Sequence, residues 1–112
     1  MTTHVSDDDM RAAMATTRPY TAVILHRGPH HDTPEAAAVV WEHARRNFGL
    51  RADGQLNIVC PIRDDATVCG IGIFDLTPAE TAAVMDADPG VQAGVFTYQA
   101  FPTRSFPGDR LA

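Results

Sequence analysis

Gln55-Leu-Asn-Ile-Val-Cys-Pro-Ile-Arg-Asp-Asp-Ala-Thr-Val-Cys-Gly-Ile-Gly-Ile-Phe74 is the stretch whose reading decides the fold. Asp53-Gly54 before it is a turn. From Gln55 to Ile62, Leu56, Ile58, Cys60 and Ile62 alternate with Asn57, Val59 and Pro61, the period of a strand. Arg63 to Ala66 reads as a hairpin connection and Thr67 to Phe74 as the returning strand. A loop symmetric about Asp64 and Asp65 pairs Leu56 with Ile73, Ile58 with Ile71 and Cys60 with Cys69, all apolar and facing one way. On the opposite face Val59 meets Gly70 and Asn57 meets Gly72, where two glycines leave room for a large side chain, a second subunit or a ligand.

Working outward, a helix flanks the hairpin on each side. Thr33-Pro34-Glu35, or Asp32 with Glu35, announces one that Gly49 is expected to stop after Phe48. On a helical wheel Ala36, Ala37, Val40 and Ala44 share its core face. Trp41 and Phe48 lie along one border, and Val39, His43 and Asn47 along the other, while Glu42, Arg45 and Arg46 face water. Thr77-Pro78-Ala79-Glu80 is a capping box opening a second helix through about Met85. Tyr20 to Arg27 reads as a first strand ended by Gly28-Pro29, and Val95 to Phe101 as a last strand ended by Pro102.

The order strand, helix, strand, strand, helix, strand is that of an α+β, ferredoxin-like βαββαβ domain. Both helices cover one face of a four-stranded antiparallel sheet. The other face, carrying Val59, Val68 and Phe74, is too apolar for water, so two faces are expected to pack as a homodimer, a dimeric α+β barrel. The domain spans residues 19–102. Residues 1–18 are an appendage in which Ser6 and the acidic run to Asp9 cap a short helix through Ala15, and residues 103–112 are a tail.

Asp88-Pro89-Gly90 breaks the chain between the second helix and the last strand. Asp before Pro reads as an N-cap with proline at the first helical position, so one short turn restarts and stops at Gly94. By residue type alone, a nearby His43 is a half-buried histidine bonded to a capping aspartate. The same pair also suits acid/base work, because a carboxylate orients an imidazole and favours its charged form.

The first strand, the helix bearing a lone His, the Ala-Asp-Pro-x-x-x-Ala-Gly-x-Phe run at 87–96 and the closing strand together resemble the YCII-related (YciI-like) domain proteins. The resemblance covers about residues 19–102, and the run at 87–96 is its most specific part. Val40 stands where that family often has an Arg, and Cys60-Pro61 where it has Gly-Pro. The resemblance implies the dimeric ferredoxin-like fold, a His and Asp active site carried onto His43 and Asp88, and no metal or organic cofactor. A few such proteins are dehydrochlorinases acting on chlorinated hydroxyquinol-type intermediates. The expected function is therefore a lyase or isomerase moving a proton on a small aromatic or enolic substrate. The alternative is a non-catalytic dimeric ligand-binding or accessory protein of the same fold.

Composition narrows the remaining chemistry. The net charge of −5 gives no basic field for nucleic acid, and no apolar run reaches the roughly 20 residues that span a bilayer. No secretory leader pattern is legible, so the expected location is cytoplasmic. The absence of lysine excludes Schiff-base chemistry, and serine occurs only at Ser6 and Ser105, near the termini. Cys60 and Cys69, without CxxC spacing, read as reduced thiols, and His26, His30, His31 and Asp32 as solvated loop residues rather than metal ligands. Asn47, beside His43 on the wheel, and the strand residues Asn57 and Tyr98 are the candidate substrate contacts, although cross-strand packing explains Tyr98 equally well.

Overall fold

The structure, a computed structural model, describes residues 1–64 and 67–112. Its elements are α1 (Asp7–Met14), β1 (Arg18–Arg27), α2 (Ala36–Ala52), β2 (Leu56–Pro61), β3 (Val68–Phe74), α3 (Pro78–Asp86), α4 (Pro89–Gln92) and β4 (Phe96–Ser105). Beyond the N-terminal α1, the four strands form one antiparallel sheet in the order β2-β3-β1-β4, an α+β arrangement compatible with a ferredoxin-like fold. No helix among the described residues is long and apolar enough to cross a membrane.

Local chemistry explains most of these boundaries. Ser6 accepts from the Asp9 N–H and starts α1, which buries none of its residues. Thr77 and Glu80 form the reciprocal capping box at α3. At α2, by contrast, Thr33 bonds the His30 carbonyl instead of capping, and the helix begins at Ala36 without a side-chain cap. Its far end runs through Gly49 to Ala52, because Gly49 keeps a helical φ and the left-handed residue that stops the chain is Gly54. β4 continues past Pro102 to Ser105 because it is an edge strand, where a proline without an N–H is tolerated. That extension pairs with Arg18 to Tyr20, so β1 begins two residues earlier than its apolar pattern.

The hairpin register differs from the expected one. Cys60 pairs with Ile71 and Val59 with Gly72, so Cys60 and Cys69 are not opposite each other; both thiols are free. The turn residues Asp65 and Ala66 lie outside the described residues. A bulge at Asn57 adds one residue between the Leu56–Phe74 and Ile58–Ile73 pairs, and a one-residue insertion exchanges the two faces of a strand. Leu56 and Val59 thereby both turn toward the helices, with Gly70, Gly72 and Phe74 beside them. The two glycines are buried, and Val59 and Phe74 belong to the core or its margin, contrary to the expected outer face. The outer face instead carries Ile58, Ile73, Ala22 and Phe101 in one row across the strands, with Ile71 and Ile24 alongside.

The core lies between sheet and helices: Val23, Leu25, Leu56, Phe74, Met85 and Phe96 are its larger members. On α2 the covered face is centred on Ala36, Val40, His43 and Asn47, and the border residues Trp41 and Phe48 are exposed. Gly49 is exposed, and a Cβ there would touch nothing within 4 Å. Gly49→Ala is expected to stabilise the protein by about 0.5–1 kcal/mol, since alanine removes the entropy cost of a glycine inside a helix. Urea unfolding checks this; an unchanged or lower midpoint would show that α2 ends near Gly49.

Candidate active site

The site is assembled where α2 meets the short helix α4. Asp88 is the N-cap of α4, and its Oδ2 accepts the Gly90 N–H at 2.9 Å and the Val91 N–H at 3.2 Å. Gly94, at φ 72°, ends the turn. The Gly28 N–H then bonds the Val95 carbonyl, and the His30 N–H bonds Gly94. Gly28 allows this crossing because any side chain there would collide with the Gly94 backbone. The sequence thus holds one carboxylate rigidly between a helix, a strand and a loop.

Asp88 is only 1% exposed, whereas a buried carboxylate must be paired or lose its charge. His43 Nδ1 lies 2.8 Å from Oδ2 and 2.9 Å from Oδ1. Arg46 Nη1 lies 3.6 Å from Oδ1, an ion pair in which this nitrogen makes no hydrogen bond among the described residues. Burial pushes the Asp88 carboxyl up. The hydrogen bond and charge of His43, with the Val91 and Gly90 N–H groups, more than offset this and hold it below the usual carboxylate range.

An ionised Asp88 is acceptor only, so the hydrogen on Nδ1 of His43 is donated to it and the lone pair of the neutral ring is on Nε2. Asn47 Nδ2 is 3.3 Å from Nε2 and donates to that lone pair; with its amide turned over, Asn47 accepts from an Nε2–H instead. The His43 side chain is 12% exposed, and its ring rests against Phe96 with centroids 4.8 Å apart. His43 and Asn47 line a cavity of about 210 Å³ between α2 and the sheet. Its other walls are mainly apolar, with Leu25, Leu56, Phe74 and Met85 among them. Chemically this is a nitrogen base, oriented from behind by a buried carboxylate and lining a small, mainly apolar chamber.

Of the residues expected at the site, His43, Asp88 and Asn47 come together. Asn57 and Tyr98 do not. Asn57 occupies the bulge and donates to the Gly54 carbonyl at 3.0 Å. Tyr98 donates to Asp86 Oδ1 at 2.6 Å, and that bond, with burial, pushes its phenol up to about 12. The sheet bulge and the α3 carboxylate have claimed these two groups. Arg46 is a member that the wheel reading missed by assigning it to water. Its spacing of three residues from His43, on the same helix face, is the signal that finds it. Among the described residues no three His, Cys, Asp or Glu side chains converge on a metal position. His26 bonds Gln99 and His30 bonds the Ala93 carbonyl. No family model matches the chain, and no curated protein matches it.

The depressed Asp88 carboxyl sets a sign for acid stability. Its ionised form contributes stability above the unfolded carboxylate value of about 3.9, and that contribution is lost as pH falls through the lower folded value. Asp88→Asn is expected to cost about 1–3 kcal/mol at neutral pH and to flatten the decline of stability on acidification. Urea midpoints of both proteins across the acid range check this, and parallel curves would contradict an ionised, paired Asp88.

Proposed function

We propose that the chain is a small YciI-like enzyme, a lyase or isomerase that moves a proton on an aromatic or enolic substrate without a metal or organic cofactor. The observation that supports it is the placement of His43, with Nδ1 on the buried Asp88 carboxylate, Nε2 toward Asn47, and both residues lining an apolar cavity. In a dehydrochlorination the substrate ring first shifts a hydroxyl proton to the chlorine-bearing carbon, giving a keto tautomer in which that carbon is sp3, and Nε2 then takes the proton of an enolic hydroxyl conjugated with it. The O–H pair forms a carbonyl, the enol C=C pair shifts to form the new ring double bond, and chloride leaves with the C–Cl pair. The Asp88 carboxylate stabilises the imidazolium, which then returns the proton to solvent; in an isomerisation it returns it to another substrate atom. A positioned base of this kind contributes roughly 10²–10⁴-fold.

The working unit of this proposal is a homodimer through the outer sheet face. Ile71 and Phe101 there are 41% and 43% exposed, beside Ile24 and Ile73 on adjoining strands. Such a continuous apolar area favours burial against a second copy.

One observation favours a second reading, a ligand-binding or accessory protein of the same fold. Asp88 is also the cap of α4 and the partner of Arg46, so the dyad contacts would be equally in place if their role were structural. Chloride release from chlorinated hydroxyquinols and solvent-deuterium incorporation into cyclic enols separate the two. Turnover is expected for wild type, with a loss of about 10²-fold or more in folded His43→Gln. Equal rates in the two proteins would leave the binding reading as the better one. Light scattering on the same preparation should return twice the 12.1 kDa chain mass; a monomer would rule out the dimeric unit.

A further inference from the structure

We propose that Gly70 is the specificity-determining residue of the cavity beneath His43, and that the cavity admits one uncharged six-membered ring while rejecting anions and fused rings. Its biological meaning rests on the proton-transfer reading; the binding itself does not.

Gly70 is buried in the middle of the sheet, paired with Leu25 on one side and Pro61 on the other, and forms part of the cavity wall. Its φ is not among the positive values, so the backbone does not require glycine here. A Cβ at Gly70 would stand 3.4 Å from the Cys60 carbonyl oxygen and 4.0 Å from Leu25 Cβ, both ordinary contacts. The neighbouring Gly72 is different, because a Cβ there would meet Leu56 Cδ1 at 3.2 Å and Phe74 Cε2 at 3.4 Å. Side chains have already closed over Gly72. At Gly70 the missing side chain survives as space.

Size and charge then define the occupant. A cavity of about 150 Å³ accepts benzene and drug-sized ligands need about 300 Å³ or more, so the 210 Å³ present here suits one ring with small substituents. Among the described residues no arginine lines the cavity, and the polar side chains on its wall are His43, Asn47 and the thiol of Cys69, whereas Cys60 contributes backbone. The Asp88 carboxylate lies directly behind His43. An anion would lose its hydration and meet only His43, whose positive charge when protonated is already compensated by Asp88, whereas a neutral hydroxyl or enol finds the ring and the Asn47 amide.

Dissociation constants for phenol, benzoate and 2-naphthol, read by NMR titration on the full chain at neutral pH, test this. Phenol is expected to bind and to move the His43 ring resonances, with benzoate and 2-naphthol roughly tenfold or more weaker. Gly70→Val is expected to weaken phenol by roughly tenfold or more and Gly70→Ala by a smaller factor, with the His43 signals of the free protein retained. Should the valine variant fail to fold, the alanine variant carries the test. No phenol binding by wild type, phenol binding within twofold of wild type in the folded variant with the larger side chain, or benzoate binding equal to phenol would each overturn the proposal. Size-limited phenol binding beside an inert His43→Gln substitution in the turnover assay would leave this inference standing and remove the catalytic one.

Discussion

A single carboxylate, that of Asp88, is taken out of water, and the arrangement around it follows from the need to satisfy it. An isolated buried charge of this kind is too costly to persist unless it is paired and hydrogen-bonded. The protein supplies two backbone N–H groups from the first turn of α4 and the imidazole of His43, and it adds the charge of Arg46. These come from two separate helices, so compensating the charge also fixes how α2 and α4 sit together. The Gly28 and Gly94 crossing ties the same turn to the strand beside it. The dyad is rigid because it is a structural joint, and that rigidity is what an acid/base pair requires.

Much of this joint was legible in the chain. Asp88-Pro89-Gly90 announces a capped turn because proline at N1 and a carboxylate before it leave few alternatives, and the Thr77 to Glu80 box is equally local chemistry. The position of His43 follows from helical periodicity. That of Arg46 does not, because a charged side chain on a helical wheel signals solvent, and only a buried anion opposite gives an arginine reason to turn inward. Tyr98 is a polar strand residue whose partner, Asp86, lies on another element and carries no local signal, whereas Asn57 donates to the Gly54 carbonyl only three residues back, a local contact that alternation does not show.

The hairpin shows a different limit. Alternation predicts which residues share a face, but a bulge at Asn57 changes the count on one strand alone, and nothing in the composition of β2 marks it. The isoleucines of β3 were therefore expected under the helices and the glycines outside. The reverse arrangement leaves the outer sheet apolar and the inner sheet hollow at Gly70. Both consequences bear on function, the first favouring a second copy and the second a ligand. Gly49 is a smaller instance, since a glycine in that position signals a stop, yet the helix continues through it.

The orientation of the His43 ring is the point on which the chemistry turns, and it is directly measurable. Long-range ¹H–¹⁵N correlation spectra of labelled protein, with the His43 signals identified by loss in His43→Gln, report which ring nitrogen carries hydrogen in the neutral form. Donation to an ionised Asp88 requires the hydrogen on Nδ1 and leaves the lone pair on Nε2, the nitrogen beside Asn47. A neutral ring protonated at Nε2, with Nδ1 bare beside Asp88, would contradict both the dyad and the proton-transfer role drawn from it.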